Sequence, residues 1–295
     1  MGTFSWNLIA DIQEMWSLPF MLNAFRAGTV VAIVAALVGW FMVLRRQSFA
    51  GHTLALVGFP GAAAAAWLGI GLGAGYLGFC LAAALVMAGR PGRAGRAGRA
   101  NSEESTVIGT VQAFALGAGM LFVSVSGGFL NETTALLFGS FLGITADQVT
   151  VLIAVAVVVL AVLAFIGRPL LFASIDADVA RANGTPTSAL SMAFLLVLAA
   201  TAAEVSQITG ALLVFALLVL PPATAQAISA RPVVSLAASV GIGLLTVWVC
   251  LFVAYYSSYP VGFWLTTVGF GLYVAARVAD RVRVAISRTA VAPAC

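Results

Sequence analysis

Apolar positions in this 295-residue chain run in long continuous blocks, separated by short polar punctuation. They do not alternate as in a half-buried strand, nor form the single stripe of a soluble amphipathic helix. The blocks fall at about 24–44, 54–72, 76–88, 107–125, 149–166, 190–203, 208–220, 233–254 and 261–276. The longer ones reach the ~18 apolar residues that carry a helix across hydrocarbon roughly 30 Å thick. The pattern predicts an all-α, polytopic membrane protein of about eight to nine transmembrane helices in a single domain. Continuous blocks argue against a β-barrel, whose strands alternate.

The punctuation is informative. Residues 4–16 place Phe4, Leu8, Ile12 and Met15 or Trp16 on one helical face, so the N-terminal segment 1–23 reads as interfacial. Residues 89–105 form a flexible Gly/Arg loop. A mixed stretch, 127–147, reads as a loop with a short partial helix. The polar segment 173–186 contains a short helix, with Ser174 a candidate cap, Asp176 and Asp178 near its positive end, and Gly184 as its stop. Glu204-Val205-Ser206-Gln207 interrupts the sixth block, and Pro221-Pro222 ends the seventh. Tyr255, Tyr256 and Tyr259 suit an aromatic belt, and an Arg-rich tail occupies 277–295.

Composition agrees with the pattern. The chain is 62% hydrophobic and 8% charged, with mean hydropathy +1.09. Soluble domains carry about a quarter charged residues. All positive charge is Arg and none is Lys, which excludes a Walker A loop and a Schiff-base lysine. A net charge of +4 reads as topology and not as nucleic-acid binding. With Arg45-Arg46 inside the cell membrane's cytoplasmic face, a nine-span chain returns the 90–99 loop, Arg168, Arg231 and the C-terminal arginines to that face. Cys80, Cys250 and Cys295 form no disulfide framework.

Candidate chemistry is sparse. His52 is the only histidine, and an ionisable side chain among spans is a site candidate. No nucleophile constellation stands beside it, so the chain is not read as an enzyme. Acidic groups inside the spans are nearly absent, which weighs against a self-powered carrier. Many Gly and Ala residues permit close helix packing. A translocation pathway driven by a separate ATPase, docked on the polar segment between spans, suits these features. A stand-alone secondary carrier and a diverged membrane component without transport are the alternatives.

Five motifs, in order along the chain, resemble the permease subunits of zinc/manganese/iron ABC importers. Arg45-Arg46, Gly51, Leu54 and Gly61 match their first signature. Glu104-Ser105-Thr106-Val107-Ile108-Gly109 is similar to the entry of a later span. Leu137-Phe138-Gly139-Ser140, with Ile144-Thr145 and Asp147, is similar to a Leu-Phe-Gly loop. The segment Asp176 to Gly184 is similar to the cytoplasmic coupling segment. Gly210-Ala211-Leu212-Leu213, then Leu217-Leu218, Pro221, Ala223-Thr224-Ala225, is the most specific match.

The resemblance implies a homodimeric, or paired, permease with two cytoplasmic ABC ATPase subunits and an extracytoplasmic metal-binding protein. It implies a divalent metal as substrate and no cofactor held by this chain. It assigns coupling to Asp176, Asp178 and Gly184, and a pathway-helix signature to Gly210, Pro221 and Thr224. Two departures stand out. The family's Asp and His, one turn apart, are His52 and Leu56 here. The family's Thr in the fifth motif is Phe215, and a basic position beyond it is Gln226. His52 marks the pathway on this reading.

Overall fold

The computed structural model describes residues 8–89, 97–125, 139 and 143–290. The elements in chain order are α1 (Leu8–Ser17), α2 (Pro19–Leu44), α3 (Ser48–Leu68), α4 (Leu72–Ala88), α5 (Ala97–Val125), α6 (Ala146–Ile175), α7 (Ala177–Ala182), α8 (Thr187–Thr209), α9 (Ala211–Ile228), α10 (Pro232–Tyr256) and α11 (Val261–Ala290). Among the described residues, seven helices are long and apolar enough to cross a membrane. Two shorter apolar helices, Leu72–Ala88 and Leu213–Ile228, occupy the third and seventh expected positions.

Several boundaries differ from the sequence reading. α2 starts at Pro19, five residues before the expected span, because Pro at the first turn lacks only an N–H that has no helical partner there. α5 starts at Ala97, inside the expected basic loop. α11 continues to Ala290, through most of the expected tail. Most of the mixed stretch 127–147 lies outside the described residues. At its end Thr145 caps α6 with a capping box, accepting from Gln148 N at 3.3 Å while Gln148 Oε1 accepts from Thr145 N at 3.0 Å.

α2 is the hub, packed against α6, α8, α9 and α10. α3 carries α4 and α5 on one side, and α9 carries α10 and α11 on the other. Burial falls toward the periphery: 67% of the α2 membrane window and 78% of the α3 window are buried, against 17% for α5 and 11% for α11. Phe114 and Met120 of α5 and Phe165 of α6 remain exposed, a surface suited to lipid.

Close approach rests on small residues, as expected where lipid is as apolar as Leu. Gly61 of α3 and Gly75 of α4 face each other's backbone, and a Cβ on either would overlap it. Gly58 receives the Tyr76 ring, whose hydroxyl donates to the Ala55 carbonyl at 2.8 Å. Gly39 of α2 lies against the Leu218 carbonyl of α9. Pro222 has no N–H to return to that carbonyl.

Candidate functional site

The turn between α2 and α3 sets the position of His52. Gln47 N donates to Met42 O at 3.0 Å and Arg46 N to Val43 O at 3.1 Å, a Schellman closure. The left-handed position in that closure is held by Arg46, with φ 57°, and not by Gly. α3 restarts at once, so His52 lies in its second turn and not in a loop. In the first turns of α3, Phe49, His52 and Leu56 lie on a stripe that is not fully buried, while Gly51, Thr53, Leu54 and Ala55 face the core.

Across from this stripe runs α9. The His52 ring meets Phe215 edge-on, with centroids 5.0 Å apart. The two departures from the family pattern, 163 positions apart, are therefore one contact. The His52 Nδ1 atom is buried and has no hydrogen-bond partner among the described residues. Metal-bound histidines usually donate their second ring N–H to a carboxylate or carbonyl. Among the described residues no group of three or more His, Cys, Asp or Glu could hold a metal. Neighbouring Thr53 donates to Gln112 of α5 at 3.0 Å, which pins α5 to this part of α3.

The signature residues of α8 and α9 form a helix break. α8 runs unbroken to Thr209, so Glu204 to Gln207 are helical and not the expected interruption. Apolar neighbours on α2 and α6 supply packing enough to carry the helix past one carboxylate. Glu204 is half-buried beside a narrow cavity with Val31, Val34, Leu152, Ala156 and Val159. It sits on a helix and not in a loop. The break itself is Gly210, with φ 84° and ψ 146°, which both ends α8 and starts α9. Gly139, also at positive φ, seats directly on the Thr209–Gly210 backbone. Two motifs far apart in sequence thus meet at one point. Pro221 and Pro222 lie inside α9, which continues to Ile228 instead of stopping at them. Thr224 donates to the Leu220 carbonyl at 2.6 Å within that stretch. Gln226, in the family's basic position, donates to the Trp40 carbonyl at 3.0 Å and ties α9 to α2.

Residues 176–184 fold as the short helix α7. Its cap is Asp176, which accepts from Asp178 N at 3.0 Å and Val179 N at 2.9 Å. Ser174 does not cap it; its hydroxyl turns back to the Leu170 carbonyl inside α6. Gly184 closes the other end at φ 78°, with Thr185 N donating to Ala180 O at 3.0 Å. Ala180 is fully buried against the bundle. Asp178, paired with Arg181, points outward with 90% of its side chain exposed.

The chain belongs to the ABC 3 transport family, whose model matches residues 17–280. It is 28% identical over 236 residues to the manganese import system permease protein ScaB of Streptococcus gordonii, covering 79% of this chain and 82% of that one. It is likewise 28% identical over 243 residues to the chelated iron transport system membrane protein YfeC of Yersinia pestis, covering 82% and 79%. Among solved structures, PsaBC from Streptococcus pneumoniae in complex with Fab shares the fold. Its TM-score is 0.79 at 23% identity, covering 91% of this chain and 95% of that one.

The five motifs and their order were legible in the sequence. The His52–Phe215 contact and the seat of Gly139 on Gly210 were not, because no local pattern reports which distant helices touch.

Proposed function

We propose that the chain is the membrane-spanning subunit of an ATP-driven importer of a divalent metal ion in the cell membrane. Two such chains pair, two cytoplasmic ABC ATPases drive them, and an extracytoplasmic binding protein delivers the ion. The chain itself performs no catalysis and holds no cofactor; the metal is cargo. The observation that carries the reading is α7. A six-residue helix, capped by its own aspartate and closed by its own glycine, presents an acid and a base outward between two long apolar helices. Such a rigid polar knob suits docking of a soluble motor domain. The family match and the import systems named among its relatives support the same reading.

The turns 45–47, 176–186 and 229–231 share one end of the bundle, where Arg45 reaches α6 and α8 and Trp40 reaches Ser235 of α10. Their arginines support a cytoplasmic position for that end. The stripe of His52 and Leu56 against Phe215 is the pathway lining, and closure of the ATPases alternates its access.

Removing the Asp176 cap costs about 1 kcal/mol of local helix stability, roughly a fivefold loss of the folded knob. An Asp176→Ala/Asp178→Ala variant, co-expressed with its ATPase, is expected to insert normally, to recover several-fold less ATPase on purification and to lose Mn²⁺ uptake. Parent-level recovery of ATPase and parent-level uptake would overturn the docking role.

A further inference from the structure

The docking helix and the pathway stripe lie on different elements, and one side chain spans the gap between them. Arg45 is the residue that follows α2. Its guanidinium donates to Ser174 Oγ at 3.1 Å and to Ser191 Oγ at 2.7 Å, and its Nε to Gln47 Oε1 at 3.3 Å. The same guanidinium stands 5.5 Å from the ring centroid of Phe194, which is fully buried. Ser174 is in the last turn of α6, two residues before the cap of α7. Ser191 is in the first turns of α8, just after α7 closes. The fork therefore grips both supports of α7 at once.

On its other side Arg45 begins the turn that launches α3. Arg46 and Gln47 complete that turn through backbone bonds to Val43 and Met42. Five residues after Gln47 comes His52. The path from α7 to the stripe is thus two serine hydroxyls, one guanidinium, one tight turn and one and a half turns of helix. Planar geometry makes Arg suited to this and Lys unsuited, because the fork fixes several acceptors in one orientation. The Phe194 face beneath holds the plane in place. Two helix C-termini, those of α2 and α6, add their partial negative charge around the cation.

We propose that Arg45 is a positioning residue for coupling: it transmits displacement of α7 to α3 and so to the His52–Phe215 stripe. This rests on the permease reading given above. On this reading Arg45 acts through its contacts within the chain. It sets the two supports of α7 and the start of α3 in fixed relation, so that moving one moves the other.

The test separates coupling from folding and from docking. A single reporter cysteine is placed at Leu56→Cys in a Cys295→Ser background, where Cys80 and Cys250 are buried. The purified complex with its ATPase is labelled with a thiol reagent, with and without ATP and vanadate. In the parent, trapping changes the labelling rate at position 56. Arg45→Gln and Arg45→Lys are each expected to reduce that nucleotide-dependent change about tenfold, in line with losing hydrogen bonds to a charged group. Basal ATPase activity and the amount of ATPase recovered stay at parent level. Ser174→Ala/Ser191→Ala gives the same loss, and adding Arg45→Gln to it gives no further loss, since all three residues act in one linkage. A parent-sized labelling change in Arg45→Gln overturns the proposal. So does a loss that merely tracks a fall in recovered complex, or full rescue by Arg45→Lys. A parent reporter without any nucleotide-dependent change overturns the permease reading itself, and with it this inference.

Discussion

Replacing Gly210 by Ala tests whether the α8–α9 break is built on backbone geometry. Gly210 adopts φ 84° and ψ 146°, close to a region that is essentially restricted to glycine. Holding an L-residue there costs about 1–3 kcal/mol. Ala also restricts the unfolded chain and returns about 0.4–1 kcal/mol. The net loss is about 1–2 kcal/mol. At about 2–4 °C per kcal/mol for a chain of a few hundred residues, the unfolding midpoint falls by about 2–8 °C. Gly71 is the matched control. It starts α4 at φ −60° and a Cβ there meets nothing, so Gly71→Ala is expected to stay within about 0.5 kcal/mol of the parent. Gly139→Ala strikes the same backbone from the other side, since its Cβ would overlap the Thr209 carbonyl. The double variant Gly139→Ala/Gly210→Ala should therefore lose less than the sum of the two single changes. Thermal unfolding of the purified protein in detergent, followed by tryptophan fluorescence, reads all four variants. A Gly210→Ala midpoint equal to that of Gly71→Ala would refute the reasoning.

Two further outcomes follow from the same geometry. His52→Ala is expected to lower uptake of radiolabelled Mn²⁺ in ATPase-containing vesicles at least tenfold, whereas Phe215→Ala, which removes an edge-to-face contact of about 0.5–1.5 kcal/mol, changes KM by no more than about tenfold; full uptake by His52→Ala would remove it from the pathway. Arg46→Gly relieves a non-glycine residue at φ 57° and is expected to leave the unfolding midpoint unchanged or raise it by a few degrees; a clear fall would show that the Arg46 side chain holds the turn.

Much of the chain was legible without coordinates because hydrocarbon imposes a simple rule. Backbone polar groups must be satisfied within each segment, so blocks of apolar residues become helices and their lengths report the spans. The nine blocks each correspond to a helix. Gly184 was readable as the stop of a short helix because C-terminal closure is local chemistry; its cap was expected at Ser174 and is Asp176. Gly210 was readable as a signature, though not as a break.

What failed was also physical. Local polarity made Glu204 to Gln207 look like an interruption, but α2 and α6 bury that face and the helix continues to Thr209. Pro221-Pro222 looked like an end, but Gly39 lets α2 pack onto the carbonyl that Pro222 cannot serve, and α9 runs on. The first polar residue of segment 173–186 looked like a cap, yet Ser174 Oγ accepts from Arg45 while donating back into α6.

The sequence by itself determined the class and the order of the apolar helices, since these depend on composition and on runs of neighbouring residues. Only the tertiary structure decided that His52 faces Phe215, that Gly139 seats on Gly210 and that Arg45 joins the two supports of α7. Each of these is a contact between residues tens to hundreds of positions apart. Such contacts are set by which small residues let which helices approach, and no periodicity along the chain encodes that choice.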